Sequence, residues 1–128
     1  MNKYNDKSDF EINKAVAIAR GAKPFHDDGF KKSTGYFHKD AVIIKAKFKI
    51  GAFDPCNNPA DAMPIVIDNK ISLYAPRLNE DWMAEYAGST EDVNDGFQVD
   101  YFDAHNQNPL RAAMEVFLMM KDAENEKS

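Results

Sequence analysis

The chain has 128 residues, 44% of them apolar and 29% charged, and a net charge of −5. That length supports one domain with one core, large enough to fold without disulfides or a structural metal. A lone cysteine, Cys56, excludes an intrachain disulfide framework; no apolar run reaches the roughly 18 residues of a membrane-spanning helix, and the polar Met1 to Lys7 start lacks a secretory signal, so the cytoplasm is the expected compartment.

The first element opens at Ser8-Asp9-Phe10-Glu11. Ser followed three residues later by Glu is a capping box, in which each partner satisfies a backbone N–H left unpaired at a helix start. Ile12, Ala15, Val16 and Ala19 recur at helical spacing and Gly21 supplies a left-handed stop, which predicts a helix over 9–20. Pro24, Gly29 and Gly35 then punctuate a loop with a short strand around Tyr36. From Ala41 to Ile50, Ile44, Ala46, Phe48 and Ile50 alternate with Lys45, Lys47 and Lys49, the pattern of a strand with one buried and one wet face.

Asp54 to Pro59 reads as a turn-rich joint, with Asn58 as the cap and Pro59 as the first residue of a helix reaching Asn69. Pro64 falls inside that helix and predicts a kink or restart. Ile71 to Ala75 and Trp82 to Ala87 read as a hairpin, Gly88 to Gly96 as an acidic exposed loop, and Phe97, Val99 and Tyr101 as a short strand leading into a link at Ala104 to Gln107. Asn108 and Pro109 open the last helix. Leu110, Ala113, Met114, Phe117 and Leu118 form its main stripe, and Ala112, Val116, Met119 and Met120 make its other side apolar too, leaving Glu115 as the one charge between Ala112 and Met120. Such a helix belongs at the centre of the core or against a partner subunit. Residues 1–7 and 122–128 are expected to fray.

These elements predict a single α+β domain over 1–128, with a mainly antiparallel sheet of four or five strands packed against the N- and C-terminal helices. Charge is divided unevenly along it. Eleven Lys and Arg face six Asp and Glu through Ala52, whereas five face fifteen from Phe53 onward. Interleaving of the two halves in one globule makes this an ordinary solvated surface.

The six glycines are scattered and form no phosphate-binding loop. His26, Asp27 and Asp28, with His38 or Asp40, and separately His105 beside Asp103, lack metal-ligand spacing, so no metal or other cofactor is expected. Cys56 lies two residues before the cap of the second helix, where a thiol can be activated, but has no nearby base in sequence. The candidate joint comprises Asp54, Cys56, Asn57, Asn58, Asp61 and Pro64, either as a tight structural corner or as the mouth of a small enzyme site. Lys45, Lys47 and Lys49 form a candidate nucleic-acid face, with Tyr36 and Phe37 available for stacking; lysine on an exposed strand also simply blocks edge pairing. Glu91, Asp92, Asp95, Asp100 and Asp103 concentrate negative charge, mostly as a solvated loop.

Ser8 to Ala17 (SDFEINKAVA), Phe53 to Ile71 (FDPCNNPADAMPIVIDNKI) and Asn108 to Met120 (NPLRAAMEVFLMM) together resemble the NinX-like family of small enterobacterial phage and prophage proteins of unknown function. The sequence departs from that pattern at Met63, where the family has tryptophan, and the 21–50 segment carries none of the resemblance. The family implies a phage accessory protein of the host cytoplasm and assigns no catalytic residues. The reading that follows is a non-catalytic module binding a host or phage protein. Nucleic-acid binding through Lys45, Lys47 and Lys49 is one alternative, and a small enzyme with its site near Cys56 to Asp61 is the other. Homodimerisation through the C-terminal helix is a further expectation.

Overall fold

The computed structural model describes residues 2–21, 23–24, 35–38, 41–46, 49–78, 80–88 and 101–127. Its elements run in the order α1 (Asp9–Ala19), β1 (Lys23–Pro24), β2 (Gly35–His38), β3 (Ala41–Ala46), β4 (Lys49–Ala52), α2 (Pro59–Asp68), β5 (Ser72–Tyr74), β6 (Trp82–Ala87), β7 (Tyr101–Asn106) and α3 (Pro109–Lys127). The fold is α+β. In place of one sheet of four or five strands, the described strands divide between two: β1-β2-β3-β4, whose β1–β2 pair is parallel, and an antiparallel sheet in the order β5-β6-β7.

Local chemistry sets the helix ends. Ser8 Oγ accepts from the Glu11 N–H at 3.1 Å, the first bond of the capping box, and donates to the Glu11 carboxylate at 3.2 Å. Gly21 takes φ 104°, the left-handed value that stops α1. Asn58 caps α2 by accepting from the Ala60 N–H at 3.0 Å. At its other end the Ile71 N–H donates to the Val66 carbonyl and the Lys70 N–H to the Ile67 carbonyl, a closing motif that puts Lys70 at φ 55° where glycine is usual. The helix continues through Pro64 without a restart.

The long strand expected over 41–50 is instead a hairpin: β3 and β4 pair with Ala46 opposite Lys49 and Lys45 opposite Ile50. Apolar–basic alternation survives a tight reversal, and the residues between Ala46 and Lys49 include none of the Gly, Asn or Asp that usually mark one. The hairpin of β5 and β6 forms as the sequence suggests. β7 occupies Tyr101–Asn106 and so runs from the end of the expected strand into the Ala104 to Gln107 stretch read as a link. Phe102 and Ala104 alternate inward with Tyr101, Asp103 and His105 outward, a pattern that small and polar residues mask in the sequence, while Phe97 and Val99 lie outside the described residues. The acidic Gly88 to Gly96 segment lies almost wholly outside the described residues.

The core is built on α3. Ala112, Ala113, Met114, Val116, Phe117, Leu118 and Met120 are buried there with Ile12 and Val16 of α1, Ala62, Ile65 and Val66 of α2, and Ala84 and Ala104 of the three-stranded sheet. Tyr86 and Phe102 stack across β6 and β7, ring centres 6.4 Å apart, on the sheet face that meets α3. Of Met114, Val116, Met119 and Met120, the residues expected as a dimer seam on α3, all but the partly buried Met119 are covered by the chain's own elements. At the ends, α3 continues to Lys127, and the segment before α1 lies against it with Tyr4 buried. The Tyr4 hydroxyl donates to Asp122, an anchor joining residues too distant in sequence to be read from either end.

Pro64 removes an interior helix hydrogen bond while its ring stays in solvent. Replacing it with alanine restores that bond and leaves no cavity. Proline costs about 3 kcal/mol against alanine inside a helix, and its stiffening of the unfolded chain returns under 1 kcal/mol or so. Pro64→Ala is therefore expected to stabilise the fold by about 1–2 kcal/mol, read as a higher midpoint in urea unfolding followed by circular dichroism.

Candidate functional site

The turn between β4 and α2 gathers five of the six candidate joint residues. The Asp54 carbonyl accepts from the N–H groups of Asn57 and Asn58 at 3.0 and 2.8 Å, which bends the chain into α2. Asp61, in the first turn of α2, accepts from the Asp54 N–H at 2.9 Å and so closes the corner from the helix side. Pro64 stands apart, exposed one turn further along α2.

Two asparagines outside the turn then fix it to the core. Asn13 of α1 accepts from the Cys56 N–H at 3.0 Å and donates to Asp54 Oδ1 at 2.7 Å. Asn108, while its Oδ1 caps α3 by accepting from the Leu110 N–H at 2.9 Å, turns its Nδ2 to the Cys56 carbonyl at 2.6 Å. The Asn-Pro helix starts at 58 and 108 thus share a capping chemistry, and the second one also binds the corner made by the first.

Beneath this corner lies a charged centre. Arg111 of α3 donates from Nε to Glu115 Oε2 and from Nη1 to Asp9 Oδ1, both at 2.7 Å. Its Nη2 donates to the main-chain carbonyls of Tyr4 at 2.9 Å and Lys7 at 2.6 Å. Glu115 is fully buried, and its second oxygen accepts from Asn2 Nδ2. Burial alone would lower the Arg111 pKa, but the carboxylates of Asp9 and Glu115 overcome it and hold the group above its ordinary value. Asp9 also accepts from Asn57 Nδ2 at 3.3 Å, and Asn57 Oδ1 accepts from Asn108 at 3.3 Å, so a ring of contacts runs from α3 through α1 and the turn back to α3. No buried side-chain nitrogen or oxygen among the described residues lacks a partner.

Sequence reasoning found the turn but missed Asp9, Asn13 and Arg111 as members of its network. One signal was present: Arg111 and Glu115 are an i,i+4 ion pair set within an otherwise apolar helix.

The arrangement is a satisfied structural corner. Cys56 is wholly buried, and burial first, then the Asp9 carboxylate, push its thiol up to about 12, with Arg111 opposing. A thiol so placed has neither the thiolate nor the access that nucleophilic chemistry needs. Elsewhere, Lys45 and Lys49 stand on β3 and β4, neighbouring strands of one hairpin, while Lys47 and the His26, Asp27 and Asp28 group lie outside the described residues.

Open surface lies on the three-stranded sheet instead. Strand register puts Tyr74, Met83, Glu85, Tyr101, Asp103 and His105 on the face turned away from α3. At its centre Glu85 accepts from the Tyr74 and Tyr101 hydroxyls at 2.9 and 2.8 Å. The carboxylate raises both phenols, Tyr101 to about 12. Asp103 and His105 meet at 3.2 Å beside them. One cleft of about 560 Å³ opens between this face and the loop after β5, lined by Tyr74, Arg77, Glu80, Met83 and His105. A second, of about 640 Å³, runs beside β7 towards residues 2–5 and the last turns of α3.

Fold and site together define a small α+β protein with a buried polar joint and an open, aromatic and acidic sheet face. The chain belongs to the NinX family of bacteriophage P22, whose family model matches residues 3–121 and so includes the 21–50 segment that carried no recognisable resemblance. No curated protein and no solved structure matches it. No helix among the described residues is long and apolar enough to cross a membrane.

Two outcomes test the joint. Removing Arg111 strands Glu115 in the core, and breaking a buried pair from one side costs about 3–5 kcal/mol. Arg111→Met is expected to lose that much in urea unfolding, and Arg111→Met with Glu115→Met to lose less than the single variant.

For Cys56, the folded thiol keeps its proton while the unfolded one, with a pKa near 9.0, releases it. Its contribution is therefore complete below pH 9 and falls as pH rises towards about 12. Cys56→Ala is expected to show a shallower loss of stability over that interval. The native wild-type thiol should also resist a disulfide reagent at pH 8 that labels it at once in urea.

Proposed function

We propose that this NinX-family protein is a phage accessory module that acts in the host cytoplasm by binding a host or phage protein, and that it performs no chemistry at the joint. The observation that carries this reading is the outer face of the three-stranded sheet. Tyr74 and Tyr101 are 46% and 51% exposed there, flanking Glu85, and no described element packs over them. Tyrosines of this kind, apolar in body and polar at the tip, are enriched at protein interfaces. Leu78, in the loop from β5 to β6, is a second exposed apolar feature: it is fully exposed with φ 52°, a conformation unfavourable for leucine. The corner at Asp54 to Asp61 supports a non-catalytic reading because its polar groups already bind one another.

Immobilised protein exposed to lysate of phage-infected cells is expected to retain a protein that the Tyr74→Ser, Tyr101→Ser double variant retains at least tenfold less, with both forms unfolding at the same temperature. Equal retention by the two forms overturns the assignment of this face. Salt-sensitive binding of single-stranded DNA by the purified protein would move the function to nucleic acid.

A further inference from the structure

The second cleft has a geometry that the sheet face alone does not explain. Five consecutive residues of β7, Tyr101 to His105, line it. Successive strand residues point to opposite faces, so a cleft touching all five meets the strand at its edge. β7 is an end strand of its sheet, and no strand among the described residues pairs with its outer side. Its opposite wall is made by residues 2–5 and by Met119, Asp122 and Ala123 of α3. That wall is held in place: Arg111 fixes the Tyr4 and Lys7 carbonyls, Glu115 accepts from Asn2, and Tyr4 donates to Asp122.

The size of this slot matches one strand. Five residues at the rise of a strand extend roughly 14 Å, and a strand takes up about 4.8 Å of sheet width and 10 Å of layer thickness. The product is on the order of 670 Å³, against about 640 Å³ for the cleft. A second copy of this chain would bring its β7 backed by β6 and α3, a body that the opposite wall obstructs, whereas a lone extended segment meets no such obstacle.

We infer that the edge of β7 is a strand-addition site for an extended peptide whose aliphatic and basic side chains alternate. The inference rests on the partner-binding reading and names its ligand chemistry. Main-chain groups at the open edge of β7 supply the ladder, as in other cases of strand addition. Side chains of the added strand that point inward lie beside Phe102, Ala104 and Met119, and so are aliphatic. Those that point outward lie beside Tyr101 and Asp103, with Glu85 one strand further in, and so are basic. The Lys3 ammonium is engaged by Asp122 at 3.2 Å and Asp103 by His105 at 3.2 Å, so the acidic charge of the outer side comes from Asp103 and Glu85 with His105 beside them.

The test is fluorescence polarisation of the full chain with four labelled heptapeptides. The first alternates valine and lysine and the second valine and glutamate. The third and fourth are the lysine peptide N-methylated on alternate residues in one register and in the other, so that one or the other edge is blocked. The lysine peptide is expected to bind at least tenfold more tightly than the glutamate one. Methylation in one register should abolish binding while methylation in the other leaves it, and Asp103→Lys should reverse the preference.

Equal binding of the lysine and glutamate peptides overturns the proposal, as does indifference to both methylation registers. So does a sedimenting dimer that excludes the peptide, which would assign the edge to a second copy. If the peptides fail while the tyrosine double variant still loses its lysate partner, strand addition falls and the partner-binding reading stands.

Discussion

Arg111 carries a charge that cannot be given up. A guanidinium stays protonated in any protein environment and offers five N–H donors in a fixed plane. Placed in the first turns of α3 with its side chain almost wholly buried, it obliges the surrounding chain to bring acceptors to it. Those acceptors come from Asp9 of α1, Glu115 of α3 and the carbonyls of Tyr4 and Lys7. The path of the N-terminal segment across α3 follows from this demand. So does the cleft beside β7, one wall of which that segment forms.

An apolar contact of equal volume would hold the same elements together, and by general measure as strongly, because desolvating two charges offsets most of their attraction. It would not fix direction. A greasy patch lets a segment slide or rotate, whereas donors aimed at two particular carbonyls accept one register. The ring from Asn108 through Asn57 and Asp9 to Arg111 extends the same principle to the corner before α2. Directed contacts set the angle between helices here, and the apolar contacts of Ile12, Val16, Ile65 and Phe117 supply the energy that keeps them together.

Much of this architecture is written locally. Ser8, Asn58 and Asn108 announce their helices because a cap is a bond between residues two or three apart, and the stripe on α3 announces burial for the same reason. The hairpin of β3 and β4 is not announced, since Ile44 to Ile50 keeps one alternation on both sides of the reversal. The division into two sheets is hidden for a related cause: strand pairing is a choice among distant partners, and period-two patterning says only which face is wet. Of the joint, the turn residues were readable and the centre was not. Asn13 meets Asp54 and Arg111 meets Tyr4 across separations that no local pattern encodes.

The sheet that α3 covers has a further property that bears on function. Proteins usually blunt an end strand with lysine, proline or a bulge, because an open row of N–H and C=O groups invites unwanted pairing. β7 has none of these: Tyr101 to Asn106 contains no lysine and no proline, and it pairs with β6 in unbroken register along its whole length. Its protection is partial and one-sided. Residues 2–5 and the end of α3 stand off from the strand, leaving a slot between. A wall that merely covered the edge would bond to it; this one bonds to α3 through Asn2 and Tyr4, and among the described residues no strand pairs with that edge. The same buried arginine that fixes the N-terminal segment therefore also fixes the width of the opening, and so links the interior of the fold to what its surface is able to admit.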